Sequence, residues 1–170
     1  MGVTIHFEGQ LKSPSDFNNI IEITTKFADL NEMEYSFIEE SDKHLQRVND
    51  ETEWDYQGPT KGIRVLPHDN SDPLIFEFDK DFYLQEYCKT QFADFNIHIK
   101  IIELLKQIEP FFSKLIVNDE GEYWEAKDSE LLQEHMDNCF NAIEEAKSEN
   151  TNLSGPFRIS DGRIIDLMEG

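Results

Sequence analysis

Apolar and polar positions alternate at the start of the chain. Val3, Ile5 and Phe7 interleave with Thr4, His6 and Glu8, and that period of two predicts a half-buried strand. Ser13-Pro14-Ser15-Asp16 then marks a helix start, with Ser13 as the cap, Pro14 in the first turn and Asp16 at the positive helix end. Phe17, Ile20, Ile21, Thr24, Phe27 and Ala28 share one helical face, and the helix is expected to stop near Asn31. Residues 34–39 predict a second strand. Residues 41–60 show no clear period and read as a long acidic loop carrying Trp54 and Tyr56, a kind of segment that is often functional.

Further along, residues 62–66 and 74–79 predict two strands, joined by the turn formers of 67–73. Residues 80–95 are ambiguous. Asn96 is expected to cap a central helix in which Ile97, Ile101, Leu104, Leu105, Ile108 and Phe112 form a broad apolar face, with Pro110 marking its end. Residues 115–119 and 122–125 predict a hairpin about Gly121. Asp128 caps a third helix with a stripe of Leu132, Met136, Cys139, Ile143 and Ala146. Residues 157–160 and 163–167 predict a last hairpin about Asp161-Gly162. The order β-α-β-β-β-α-β-β-α predicts an α+β fold: a mostly antiparallel sheet with helices packed on one face, plus a small C-terminal hairpin appendage. Residues 1–150 are expected to form a single domain and residues 151–170 a tail or hairpin, whose docking would bury Phe157 and Ile159.

Charge changes this picture most. The chain carries 36 Asp and Glu against 15 Lys and Arg in 170 residues, a formal net charge of −21. Residues 61–113 hold 9 acidic and 6 basic groups, whereas residues 1–60 hold 13 and 4, and residues 114–150 hold 11 and 3. Two acidic stretches therefore flank a balanced middle. A skin of this kind repels nucleic acid and anionic membranes, so neither is an expected partner. Basic proteins, cations and neutral small molecules are. The plainer reading of the acidity is solubility alone. With 38% apolar residues and 13 Phe, the chain is too hydrophobic to be a disordered acidic tail. Cys88 and Cys139 are too few for a disulfide framework or a four-thiolate zinc site, which leaves one bridge between them or two free thiols, and free thiols are expected. The first residues lack a secretory pattern, and no apolar run approaches a spanning helix, so a cytoplasmic location is expected.

Familiar catalytic signatures are missing: there is no Gly-rich phosphate loop, no Gly-x-Ser-x-Gly and no His-Glu-x-x-His. Five weaker clusters remain. Asp119, Glu120 and Glu122 gather with Tyr123 and Trp124 about one turn, a set that can meet a hard cation or a basic partner, or be no more than an acidic tip over a packed Trp124. His6 and Glu8 leave one strand face together, as a base and its orienter do, or as a solvated surface does. His98 stands in a helix's first turn, where the dipole disfavours its charged form, with Asp94 placed to orient it and Lys89, Thr90 and Gln91 just upstream. His135 and Cys139 have zinc spacing but lie along the apolar stripe. His68-Asp69 resembles ordinary turn chemistry.

The leading expectation is a non-catalytic interaction module that binds a basic partner, as immunity proteins and inhibitors do, with Trp54, Tyr56, Asp119, Glu120, Glu122, Tyr123 and Trp124 as its contacts. The alternative is a small-ligand or enzymatic domain in which His6, Glu8, Lys89, Gln91 and His98 converge on one cleft, with Asp119, Glu120 and Glu122 as the residues of a metal-dependent variant. No cofactor is expected, and the oligomeric state is left open.

Overall fold

The structure, a computed structural model, describes residues 2–49 and 52–169. Its elements run β1 (Thr4–Leu11), α1 (Asp16–Leu30), β2 (Glu34–Leu45), β3 (Val48–Asn49), β4 (Thr52–Glu53), β5 (Tyr56–Leu66), β6 (Leu74–Phe78), β7 (Tyr83–Lys89), α2 (Phe95–Ile108), β8 (Phe112–Asp119), α3 (Tyr123–Ala126) and α4 (Ser129–Glu149). Four two-residue strands close the chain: β9 (Leu153–Ser154), β10 (Phe157–Arg158), β11 (Ile164–Ile165) and β12 (Met168–Glu169). The fold is α+β, with antiparallel sheets and a small C-terminal hairpin.

Two three-stranded sheets carry the molecule, in the orders β2-β5-β6 and β7-β1-β8. They abut along β6 and β7. Among the described residues the bonds tying these two strands flank their ends, from Asp79 N to Tyr83 O at 3.0 Å and from Asp72 N to Lys89 O at 2.9 Å. The result is a seam through the middle of the strand layer.

Alternation sets the two faces. Ile5, Phe7 and Leu11 of β1, Ile63 and Val65 of β5, and Leu74, Phe76 and Phe78 of β6 all join one core with α1 and α2. A fully buried Phe76 contributes on the order of 2–3 kcal/mol through its removal from water. Gly62 makes the tight β5–β6 approach possible, since a Cβ there would lie 1.7 Å from the Phe76 carbonyl oxygen. Helix α4 forms a further layer: Leu132, Met136 and Cys139 pack with Val3 and with Phe95 and Ile99 near the start of α2.

The helices end where their sequences indicate. Helix α1 stops at Leu30, α2 stops ahead of Pro110, and Asp128 caps α4 by accepting from the N–H groups of Glu130 and Leu131. Several expectations need correction. The N-cap of α2 is Asp94, whose side chain accepts from Asn96 N, because the helix begins two residues earlier than a cap at Asn96 would allow. The N-cap of α1 is Ser15, while Ser13 bonds through its N–H and hydroxyl to Asp16. The described residues of 41–60 are mostly strand, not one long loop. Strand β2 continues to Leu45 across a bulge between Glu40 and Lys43, and β5 begins at Tyr56. Asp50 and Glu51 lie outside the described residues. Residues 83–89, left ambiguous by pattern, form β7. The hairpin about Gly121 is also absent: after Asp119 the chain turns through Glu122 at φ 59° into the single helical turn α3, which ends at Lys127 with φ 52°. Two left-handed residues break the extended path that a second strand would require.

Candidate functional site

The face of the strand layer away from α1 and α2 holds a cavity of about 820 Å³ that straddles the seam, with His6 and Glu8 of β1, Ile75 and Glu77 of β6, and Tyr87 of β7 among its lining. Here the sequence's alternation rule pays out directly, since His6 and Glu8 reach this open face while Ile5 and Phe7 enter the core. The chain has four arginines, and three of them (Arg47, Arg64 and Arg163) line this one cavity.

Each guanidinium has its own surroundings. Arg47 is 2% exposed, bonds Asp79 at 2.8 Å, and sits 5.0–5.2 Å from the ring centres of Trp54, Tyr56 and Tyr83. Arg163, from the C-terminal segment, lies 3.9 Å above the Tyr87 ring. It donates to Tyr87 O at 2.7 Å and to Glu86 Oε2 at 3.2 Å, and its Nη1 stands 3.5 Å from Asp72 Oδ2. Arg64 bonds the Asp161 carbonyl oxygen at 3.5 Å. Glu77, 4% exposed, takes Lys43 Nζ at 2.8 Å and the Thr60 hydroxyl at 2.7 Å. Burial pushes the Glu86 carboxyl up to about 7, against the pull of Arg163.

The C-terminal segment is held to the strand layer by polar groups. Ile164 N donates to Asp72 Oδ1 at 2.7 Å, Lys89 Nζ bonds Asp166 at 2.7 Å, and Arg158 reaches the carbonyl oxygens of Asp69 and Ser71. Its buried apolar side chain is Ile164, at 7% exposure, whereas Phe157 and Ile159 remain 42% and 41% exposed. The docking expected to bury Phe157 and Ile159 therefore runs through the second strand of the hairpin instead.

The proposed cleft of His6, Glu8, Lys89, Gln91 and His98 does not assemble. Glu8 accepts from the Tyr83 hydroxyl and from Gln85 Nε2, and its charge adds to burial in pushing the Tyr83 phenol up. His6 stands 3.8 Å from Glu120. Lys89 is committed to Asp166, and Gln91 Oε1 takes Val3 N at 2.7 Å. His98 lies on the helix side, fully buried, with Nδ1 2.6 Å from Thr90 Oγ1 and Nε2 2.9 Å from Asp119 Oδ1. Asp94 does not orient it, being used as the helix cap.

The Thr90–His98–Asp119 chain has the order of a hydroxyl, a base and its orienting carboxylate. Its burial argues for a structural role: Thr90 and His98 are 0% exposed and Asp119 is 3% exposed, so no substrate reaches the hydroxyl. Asp119 also accepts from the N–H groups of Gly121 and Trp124. Burial raises its carboxyl, but the His98 bond and charge and these backbone donors outweigh that and hold it below its ordinary value. The network thereby locks the end of β7, α2 and the turn after β8 together.

The other candidates are dispersed. Glu120 accepts from Thr4 N at 2.9 Å, and Glu122 pairs with His135 at 2.7 Å. Among the described residues no three His, Cys, Asp or Glu side chains gather closely enough to hold a metal ion. Cys139 sits in the core beside Met136, away from any second thiol, and both cysteines are free and buried. His68 Nδ1 accepts from Asn70 N within its own turn. Trp124 is half-buried with Lys106 Nζ 3.6 Å from its ring centre, and Tyr123 packs against both apolar clusters. Trp54 lies by Tyr83, opposite Gln10, and Trp124 lies beyond Asp119, opposite Ile5. The two indoles thus stand by opposite ends of β1, whose Ile5 and Gln10 are about 17 Å apart at the rise of a strand.

Pattern reading passed over Arg47, Glu77, Asp79, Glu86 and Arg163, and Asp72 was read only as part of the turn about His68-Asp69. The usable signal was scarcity: four arginines in so acidic a chain invite the question of what each one neutralises. Among the described residues no helix is long and apolar enough to cross a membrane. Comparison of the chain with protein-family models, with curated proteins and with solved structures gives no match.

Proposed function

We propose that this chain is a non-catalytic binding module that docks a basic protein along β2. The observation that carries this reading is the bare edge. Strand β2 is 12 residues long and, among the described residues, is laddered to β5 on one side only. Its outer N–H and C=O groups form a template for another strand. Tyr35 and Phe37 stand on it 38% and 64% exposed, edge to face at 5.9 Å, beside Glu34, Glu39, Glu40 and Asp42.

Those carboxylates choose the occupant. A second copy of a chain with net charge −21 meets like charge at Glu34, Glu39, Glu40 and Asp42, whereas a lysine- or arginine-bearing strand meets opposite charge there. Trp54, Tyr56 and Trp124, which already hold Arg47 and Lys106, are replaced in this reading by Tyr35 and Phe37.

The test is capture at low and at about 0.5 M salt, where screening shortens the field's reach. The expected partner is basic, is released by salt, and is lost on Phe37→Ala and on joint Glu39→Lys and Glu40→Lys substitution, while Glu144→Lys on α4 leaves it bound. Equal capture by all variants, or self-association in sedimentation, sinks the reading. A second reading follows from the cavity: a small ligand resting on the open face against His6, Glu8 and Tyr87, without Lys89, Gln91 or His98. A thermal shift with a small-molecule panel that survives in the β2 variants supports it.

A further inference from the structure

The surroundings of Arg163 amount to a complete guanidinium site built by the strand layer, and the occupant comes from elsewhere in the chain. Asp72 lies just before β6, and Glu86 and Tyr87 lie on β7. Together they supply two carboxylates, one carbonyl oxygen and one aromatic face. That set matches a planar fork of N–H donors with a flat π surface, and it suits an ammonium poorly. Asp72 is 1% exposed and both of its oxygens are used: Oδ1 by Ile164 N, and Oδ2 by Lys89 N at 3.0 Å and by Arg163. The slot opens into the cavity that Ile38 and Glu40 of β2 also line.

The occupant is weakly anchored for a core element. Ile164 is its one buried large apolar side chain among the described residues of the segment, and the remaining ties are hydrogen bonds and ion pairs. Polar ties of this kind exchange for equivalent ones with little loss, unlike apolar packing.

We infer that the Asp72–Glu86–Tyr87 slot is an arginine-binding site, held in the free protein by Arg163 as an internal stand-in, and that an arginine of a basic partner entering through the shared cavity takes its place. The identity of the ligand as a side chain of a basic protein rests on the function proposed above. The slot's preference for guanidinium does not, and it is tested without any partner.

The probe is methylguanidinium at about 10 mM, added to the full chain carrying Arg163→Ala. The expected result is a rise in its thermal midpoint of about 2–4 °C, with no such rise in the wild-type chain and none from methylammonium or potassium at equal ionic strength. An equal response to all three cations, or none, overturns the site. Should Arg163→Ala fail to fold, amide hydrogen exchange on the wild-type chain decides. Methylguanidinium is expected to speed exchange selectively in residues 157–169 by competing with Arg163. Identical exchange in potassium shows screening alone and defeats the inference. Failure here with salt-sensitive capture at β2 intact removes the slot and leaves the docking edge.

Discussion

Two buried polar clusters sit on opposite faces of the same strand layer, and they differ in where their parts come from. In the Thr90–His98–Asp119 cluster every member belongs to the main body of the fold, and none is more than 3% exposed. In the Arg163 cluster the carboxylates belong to the strand layer, while the cation arrives on a segment held by few apolar contacts. The first cluster opens only if the domain opens. The second can in principle open by release of its last residues. Chemistry of the parts is similar, so supply, rather than composition, separates a structural network from an exchangeable one.

The largest effect should come from breaking the closed cluster. His98→Ala leaves Asp119 buried without its main partner and is expected to cost about 3–5 kcal/mol in a urea titration. A loss below about 1 kcal/mol would mean that the interior relaxes around an unpaired carboxylate, and the contrast would collapse. Arg163→Ala should cost less, about 1–3 kcal/mol, since Asp72 keeps Ile164 N and Lys89 N. Cost equal to that of His98→Ala would make the C-terminal segment part of the core.

pH separates the two clusters by sign. Glu86 sits above its ordinary value of 4.5, at about 7, facing Arg163, Glu77 and Lys43. The folded protein therefore keeps a proton in that window that the unfolded chain has released. This group's contribution is full below pH 4.5 and is lost as pH rises to about 7, a change on the order of 3 kcal/mol. Asp119 runs the other way: its contribution is present above its ordinary value of 3.8 and disappears as pH falls below it. Glu86→Gln is expected to flatten the stability curve between pH 4.5 and 7 and to match or exceed the wild type at pH 8. A curve unchanged by that substitution would remove Glu86 as the source of the slope.

The smallest effects calibrate the rest. Trp54→Ala strips one wall from Arg47 and is expected to cost about 1–2 kcal/mol. Lys26→Ala breaks an exposed pair with Glu22 on α1 and should cost under about 0.5 kcal/mol. If Lys26→Ala equals Trp54→Ala, the cage around Arg47 contributes no more than a surface ion pair.

Helices were readable from sequence because one face of each is buried against a neighbour, which imposes a 3.6 period on Ile20, Thr24 and Ala28 and on Leu132, Met136, Cys139 and Ile143. The strand layer was half readable. Strand β1 alternates cleanly because one face meets the core and the other meets the cavity. Strand β2 lies at the edge and is exposed on both faces over most of its length, so burial leaves no imprint between Glu39 and Leu45, and the segment looks like a loop. The turn after Asp119 looked like a hairpin because Gly121 is a turn former there, whereas its tight place against His98 and Leu132 comes from packing that no local pattern records. The polar clusters were the least legible. Asp72 and Arg163 are 91 residues apart, and nothing local marks either as the other's partner.

A long bare strand edge carries a cost that depends on the ionic strength of the medium. Glu34, Glu39, Glu40 and Asp42 keep copies apart by like charge. At high ionic strength that repulsion is screened, and the same backbone template that would receive a partner becomes free to stack on its own kind. Storage in concentrated salt is then expected to convert clear solutions into fibrous precipitate, seeded at Tyr35 and Phe37.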